Sequence, residues 1–210
     1  VYGGSFDPPH RAHLLAVQHV LAAGQVDRVL VVPVFRHAFS KESAPFEDRV
    51  RMCELTFGRL EHVEVCTIEA ELPPPSYTVQ TLEALAARYP RANLRFVVGA
   101  DALRDSHKWH RFERVVELAP LIVLGRVGVP HPDAPEPVLP GDASTDIRER
   151  LSVWGGGEAG RTELLEVLAP AVLEYIVSHG LYGVSGGRSS ESSAGSSAGS
   201  SAGPATGSQV

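Results

Sequence analysis

The residues best suited to chemistry lie at the start of the chain, in Gly3-Gly4-Ser5-Phe6-Asp7-Pro8-Pro9-His10-Arg11-Ala12-His13. Two adjacent glycines after an apolar residue let a strand turn sharply and let a ligand approach the main chain, because glycine reaches angles closed to other residues. The amides of Gly4, Ser5 and Phe6 are then free to hold phosphate. Pro8 and Pro9 stiffen the path into the next element, and if a helix begins near His10, its spacing to His13 puts both imidazoles on one face at the positive helix end. That combination favours a polyphosphate. A matching group stands far downstream in Ala143-Ser144-Thr145-Asp146-Ile147-Arg148, where Ser144 suits an N-cap and Arg148 supplies fixed positive charge one turn in. No Gly-Lys-Ser/Thr follows the glycines and no Gly-x-Gly-x-x-Gly is present there, so neither the P-loop nor the dinucleotide fingerprint explains the stretch.

The elements around these groups alternate between strand and helix. Residues 14–23 carry Leu14, Leu15, Val17, Val20 and Leu21 on a helical face, with Gly24 as the stop. Residues 28–33 are a β-branched run ended by proline, as in a strand buried on both faces. A loop over 34–45 holds Arg36, His37 and Lys41, and a helix is expected over 46–57, closed by Gly58. Val63, Val65 and Ile68 suggest a third strand. Ser76 is the expected cap of a helix running to 88, and 94–101 and 121–124 suggest two further strands. The first ends in Gly99-Ala100-Asp101 and the second in Gly125-Arg126. Asp101 suits either a ribose hydroxyl or a helix cap, and Trp109 either stacks on a ring or anchors a helix. Residues 127–141 form a proline-rich excursion, and a helical run over 164–179, its main segment started by Pro170 and ended by Gly180, closes the fold near Tyr182. This order implies an α/β, Rossmann-like, open and mainly parallel doubly wound sheet with helices on both faces, its ligands at the strands' carboxyl edge.

The first stretch resembles the GGSFDPxHxGH signature of the nucleotidylyltransferase superfamily, and its proline-rich form is similar to bacterial nicotinate-nucleotide adenylyltransferases. Ala12 replaces the second glycine. Ser76-Tyr77-Thr78, Gly99-x-Asp101, Trp109 and the run to Arg148 resemble that family's later motifs in order, with Ala143 replacing the first serine of Ile-Ser-Ser-Thr-x-Ile-Arg. The resemblance implies attack by the 5′-phosphate of nicotinate mononucleotide on the α-phosphorus of ATP, giving deamido-NAD and pyrophosphate. It would place His10 and His13 on the phosphates and Arg148 on the leaving pyrophosphate. ATP would fall to Gly4, Ser5, Phe6, Gly99, Asp101, Arg126, Ser144 and Thr145. Thr78 and Trp109 would face the nicotinate, with His37 and Lys41 matching the family's basic loop element. Mg²⁺ would be held mainly by phosphates, with no protein metal site. Related transferases using nicotinamide mononucleotide or phosphopantetheine, and a nucleotide-binding module without catalysis, are the alternatives.

Composition agrees with one soluble domain: 210 residues, formal charge -6, 43% hydrophobic and 21% charged. The acidic balance argues against a nucleic-acid partner, and no apolar run suits a membrane. Cys53 and Cys66 have no close cysteine partner, which fits a cytoplasmic setting. Residues 1–182 are expected to form the transferase domain, and the Gly/Ser/Ala-rich 183–210 to be disordered. Only Val1 and Tyr2 precede the glycines, whereas a buried strand commonly has about five or six residues. Part of the first strand is therefore expected upstream of Val1. A version extended by about four or five apolar residues should melt at a higher temperature; equal melting temperatures refute this.

Overall fold

The computed structural model describes residues 1–36, 43–104, 106–132, 134 and 136–184. His37, Lys41 and the tail from 185 onward lie outside the described residues. Strand β2 (Val29–Pro33) is buried at every position, as its unbroken apolar run requires. It pairs with β1 (Tyr2–Gly4) through Tyr2↔Val31 and with β3 (Val63–Val65) through Val29↔Val63. On the other side β1 meets β4 (Phe96–Gly99) at Tyr2↔Val97, and β4 meets β5 (Leu121–Arg126) from Phe96↔Leu121 to Gly99↔Leu124. A short β6 (Pro137–Leu139) completes a six-stranded sheet, every pairing parallel, in the order β3-β2-β1-β4-β5-β6. The winding reverses between β1 and β4, which opens a crevice at their carboxyl ends.

Alternation along the strands splits the core into two layers. Val29, Val31 and Val97 point to the side covered by α1 (Arg11–Ala22) and α2 (Phe46–Phe57), meeting Ala16, Val17, Val20, Cys53 and Phe57. Leu30, Val32, Phe96 and Val98 point the other way, to α3 (Thr78–Arg88) and α5 (Phe112–Leu118), where Val79, Leu82, Leu85 and Val115 are buried. The sheet is doubly wound because each strand has two apolar faces to cover. A third cluster joins α6 (Ser144–Val153), α7 (Glu158–Leu165) and α8 (Pro170–Ser178) to Met52 of α2. Gly24 ends α1 as expected, at φ +63 with its N–H on the Leu21 carbonyl.

Several local expectations are corrected. Ile68 belongs to a 3-10 turn rather than to β3, where its side chain is buried among the α3 residues. The excursion over 127–141 contains β6, whose proline sits on the edge strand, where a missing N–H is tolerated. Glycine at 125 permits it, since a Cβ there would strike the carbonyls of Glu136 and Ala134. The run expected over 164–179 is broken after Leu165, where α7 ends, while Pro170 begins α8 as expected of its main segment. Ser76 and Ser144 cap neither α3 nor α6. Tyr77 and Ala143 hold those positions.

Candidate active site

Strand β1 delivers the glycine turn to the carboxyl edge, where the Gly4 carbonyl accepts the Val34 N–H at 2.9 Å. Phe6 follows at φ 48 and is buried, its ring lying so close over Gly4 that a Cβ there would come within 3.2 Å. That ring also packs edge-on against His13 and Phe57, at 4.9 and 6.0 Å between centroids. The Phe6 side chain is thus core, which leaves its main chain for the ATP role expected of it. His10 is extended and stands as the N-cap of α1, so the helix proper starts at Arg11. Its ring nevertheless meets that of His13, 3.9 Å between centroids and 40° apart.

The pairing fixes protons. The His10 N–H donates to His13 Nδ1 at 3.2 Å, so a neutral His13 carries its hydrogen on Nε2. His10 is buried, its Nδ1 meets no hydrogen-bond partner, and burial pushes its pKa down to about 4. Asp142 opposes that shift, while Arg126 and Arg11 add to it. Burial, then His10 and Arg126, hold His13 well below the ordinary histidine range. Both rings are therefore neutral near pH 7 in the absence of ligand.

Helix α6 brings the downstream group to the same loop. Ser144 Oγ donates to the Pro8 carbonyl at 3.1 Å, and Arg148 Nη1 donates to the Asp7 carbonyl at 2.7 Å, directly ahead of His10. Thr145 Oγ1 lies 3.5 Å from Arg148 Nη2. At the end of β5, Arg126 pairs with the Asp101 carboxylate and also donates to the carbonyls of Gly141 and Asp142. The Asp142 carboxylate takes Arg11 in a two-pronged pair at 3.0 to 3.2 Å. Asp101 is accordingly neither free nor a helix cap here: Gly99 caps the short α4 (Ala100–Leu103).

Beside the glycine turn, between β1, β2, β4 and α3, lies a cavity of about 260 Å³ whose lining includes Gly4, Ser5, Gly99, Thr78, Trp109 and Glu69. Trp109 is half-buried and packs edge-on against Phe96 and Phe112. A larger cavity of about 530 Å³ opens beside Val1, Leu30 and Arg95 at the strands' amino ends, the edge away from every group described above. Chemistry is assigned to the smaller one because it lies at the sheet's crevice.

Four residues matter here that motif reading gave no role. Asp7 is fully buried behind the turn. Arg49, also buried, donates to the carbonyls of Ser5 and Ala44 and so braces the turn against the start of α2. Glu69 accepts the Thr81 hydroxyl and the Phe35 N–H, at 2.8 and 2.9 Å, and walls the cavity. Tyr182 reaches back to Asp7 from the far end of the fold. Asp7 was visible within the signature; the other three are signalled only by their tertiary partners.

A family model described as Cytidylyltransferase-like matches residues 1–150. A protein of Anaeromyxobacter dehalogenans (strain 2CP-C) named "Probable nicotinate-nucleotide adenylyltransferase" is 48% identical over 185 residues, covering 86% of this chain and 94% of its own. The chain belongs to the nicotinate-nucleotide adenylyltransferase family. A Thermus thermophilus member of the same name is 39% identical over 189 residues, 87% of this chain and 97% of its own. Among solved structures, the Plasmodium falciparum nicotinic acid mononucleotide adenylyltransferase complexed with NaAD superposes with a TM-score of 0.73 over 87% of this chain and 95% of its own. At 18% identity that likeness shows the shared fold. Among the described residues, no helix is long and apolar enough to cross a membrane.

The buried imidazole pair makes stability pH-dependent. With His10 depressed from 6.5 to about 4, the unfolded chain takes up a proton below pH 6.5 that the native state refuses until about pH 4. Stability therefore falls on acidification across that window, by at most about 1.4 kcal/mol per pH unit for this group. Urea midpoints of ligand-free protein should fall more steeply from pH 7 to 4.5 than those of His10→Gln; equal slopes contradict the assignment.

Proposed function

We propose that this chain transfers the adenylyl group of ATP to nicotinate mononucleotide, releasing pyrophosphate and forming deamido-NAD. The observation that carries the reading is a single loop bearing a close, neutral imidazole pair, gripped by the helix that holds Arg148, and adjoining a cavity lined by Thr78 and Trp109.

The reaction needs no protein nucleophile. A phosphate monoester near pH 7 is already largely ionised, so the protein's work is to align two anions and offset their repulsion. Two unit charges about 4 Å apart near a protein surface interact by about 4 kcal/mol, enough to decide whether the attacking phosphate enters at all. Arg148 and Arg126 offer permanent charge, whereas the imidazoles offer charge that depends on the ligand. Neutral His13 presents Nε2–H as a donor, and an arriving triphosphate raises the proton affinity of both rings, so positive charge builds where negative charge is brought in. Asp101 is assigned to the nucleoside of ATP. That role requires its pair with Arg126 to open, which would release Arg126 to the phosphates at the same moment.

Mg²⁺ is proposed as the cofactor, bound to phosphate oxygens and supplying further charge neutralisation. Asp142 already engages Arg11 and Asp101 is given to the nucleoside, so neither carboxylate is assigned to the metal. On the acceptor side, Thr78 opens α3 at the cavity and Trp109 offers a ring face for the pyridine.

Pyrophosphate release from ATP, assayed against a panel of acceptor phosphates including both pyridine mononucleotides, should be fastest with nicotinate mononucleotide. His13→Ala should lower kcat about a hundredfold or more, the usual loss for one transition-state contact. Preference for another acceptor, or near-normal turnover by His13→Ala, overturns the reading or the role of His13 respectively.

A further inference from the structure

Asp7 has no exposed surface, yet it carries a charge between two guanidinium groups, Arg148 and Arg49. Its Oδ1 accepts the Ala44 N–H at 3.1 Å and the Tyr182 hydroxyl at 2.8 Å. Its Oδ2 accepts no hydrogen bond, although Arg148 Nη1 stands only 3.6 Å away. Arg148 instead spends that nitrogen on the Asp7 carbonyl, at 2.7 Å. The carboxylate thus stands at ion-pair distance from Arg148 but is held back from hydrogen-bonding it. What holds it is the pair of donors on Oδ1. Ala44 is main chain at the start of α2, and Tyr182 is the one side chain of the two.

Tyr182 is built for that contact at a conformational cost. It sits at φ 57 and ψ 26, left-handed backbone unfavourable to a tyrosine, in the turn that follows Gly180. Burial, then the Asp7 carboxylate, keep its phenol protonated far above the usual tyrosine range, so it remains a donor at any working pH. Removing the hydroxyl leaves Oδ1 with a single donor and lets the carboxylate turn Oδ2 onto Arg148.

We propose that Tyr182 is a positioning residue for adenylyl transfer: its hydroxyl anchors the Asp7 carboxylate so that Arg148 stays available to the leaving pyrophosphate. This rests on the role given to Arg148 above, and it makes the far end of the fold a working part of the site formed by the first strand's turn.

A double-mutant cycle tests it, with pyrophosphate release from ATP and nicotinate mononucleotide measured for wild type, Tyr182→Phe, Arg148→Ala and the double variant. Tyr182→Phe should lower kcat roughly tenfold with KM for nicotinate mononucleotide unchanged, and the double variant should be no slower than Arg148→Ala alone. Asp7→Asn, which keeps the shape but removes the charge that would capture Arg148, should recover lost kcat when added to Tyr182→Phe, and a loss that it leaves in place also overturns the inference. The inference is overturned if Tyr182→Phe keeps full kcat, if Arg148→Ala is itself without effect, or if the two losses simply multiply, as a merely structural role for Tyr182 would give. A wild type that releases no pyrophosphate sinks the adenylyl-transfer reading and this inference together. An active wild type with multiplicative variants sinks the inference alone.

Discussion

Everything in this site depends on the docking of the α6 amino end against the main chain of the Gly3–His13 loop. Ser144 and Arg148 donate to the carbonyls of Pro8 and Asp7, two acceptors that would otherwise be stranded at the foot of α1. Those bonds join residues far apart in the chain, so the phosphate-facing groups exist as a set only once the sheet has closed. The third apolar cluster explains how the grip is maintained. Ile147 and Leu151 of α6 are buried with Met52 of α2 and with α7 and α8, which fixes the helix from behind while its polar end reaches forward. The α1 amide at Arg11 adds a tie in the same direction, donating to the Val167 carbonyl at 2.8 Å.

Charge at the site is arranged as pairs rather than as an open basic field. Arg11 with Asp142, and Arg126 with Asp101, are satisfied without ligand, and the histidines are neutral. A chain of formal charge -6 can therefore receive a polyanion without carrying a permanent positive surface. The positive potential is latent and is released by exchange of partners. Half-exposed pairs of this kind contribute little net stability, so a site made of them can be rearranged at modest cost.

Much of the fold was legible because the strands state their own burial. Val29 to Val32 reads as a strand covered on both faces and is one, and the glycine turn, His10, His13 and Arg148 stand out by type and spacing. Gly99 was legible at a strand's carboxyl edge for the same reason, and it lines one cavity with Thr78 and Trp109. Where reading failed, tertiary context outweighed local preference. Ser144 looks like a cap, yet its hydroxyl serves Pro8, and Ser76 exchanges bonds with Arg36 instead of capping α3. Strand β6, of only three residues and headed by proline, exists because β5 offers it a ladder and Gly125 offers it room. Arg49, Glu69 and Tyr182 were unreadable, since a buried charge or a distant hydroxyl has no signature along the chain and is recognised only by what surrounds it.

The central claim is that the imidazoles of His10 and His13 and the guanidinium of Arg148 address one triphosphate. A crystal structure with a non-hydrolysable ATP analogue tests it most directly. The account predicts phosphate oxygens within hydrogen-bond distance of both the imidazole pair and Arg148, with the Arg126–Asp101 pair parted. An analogue bound with its phosphates away from either group, and that ion pair intact, contradicts it.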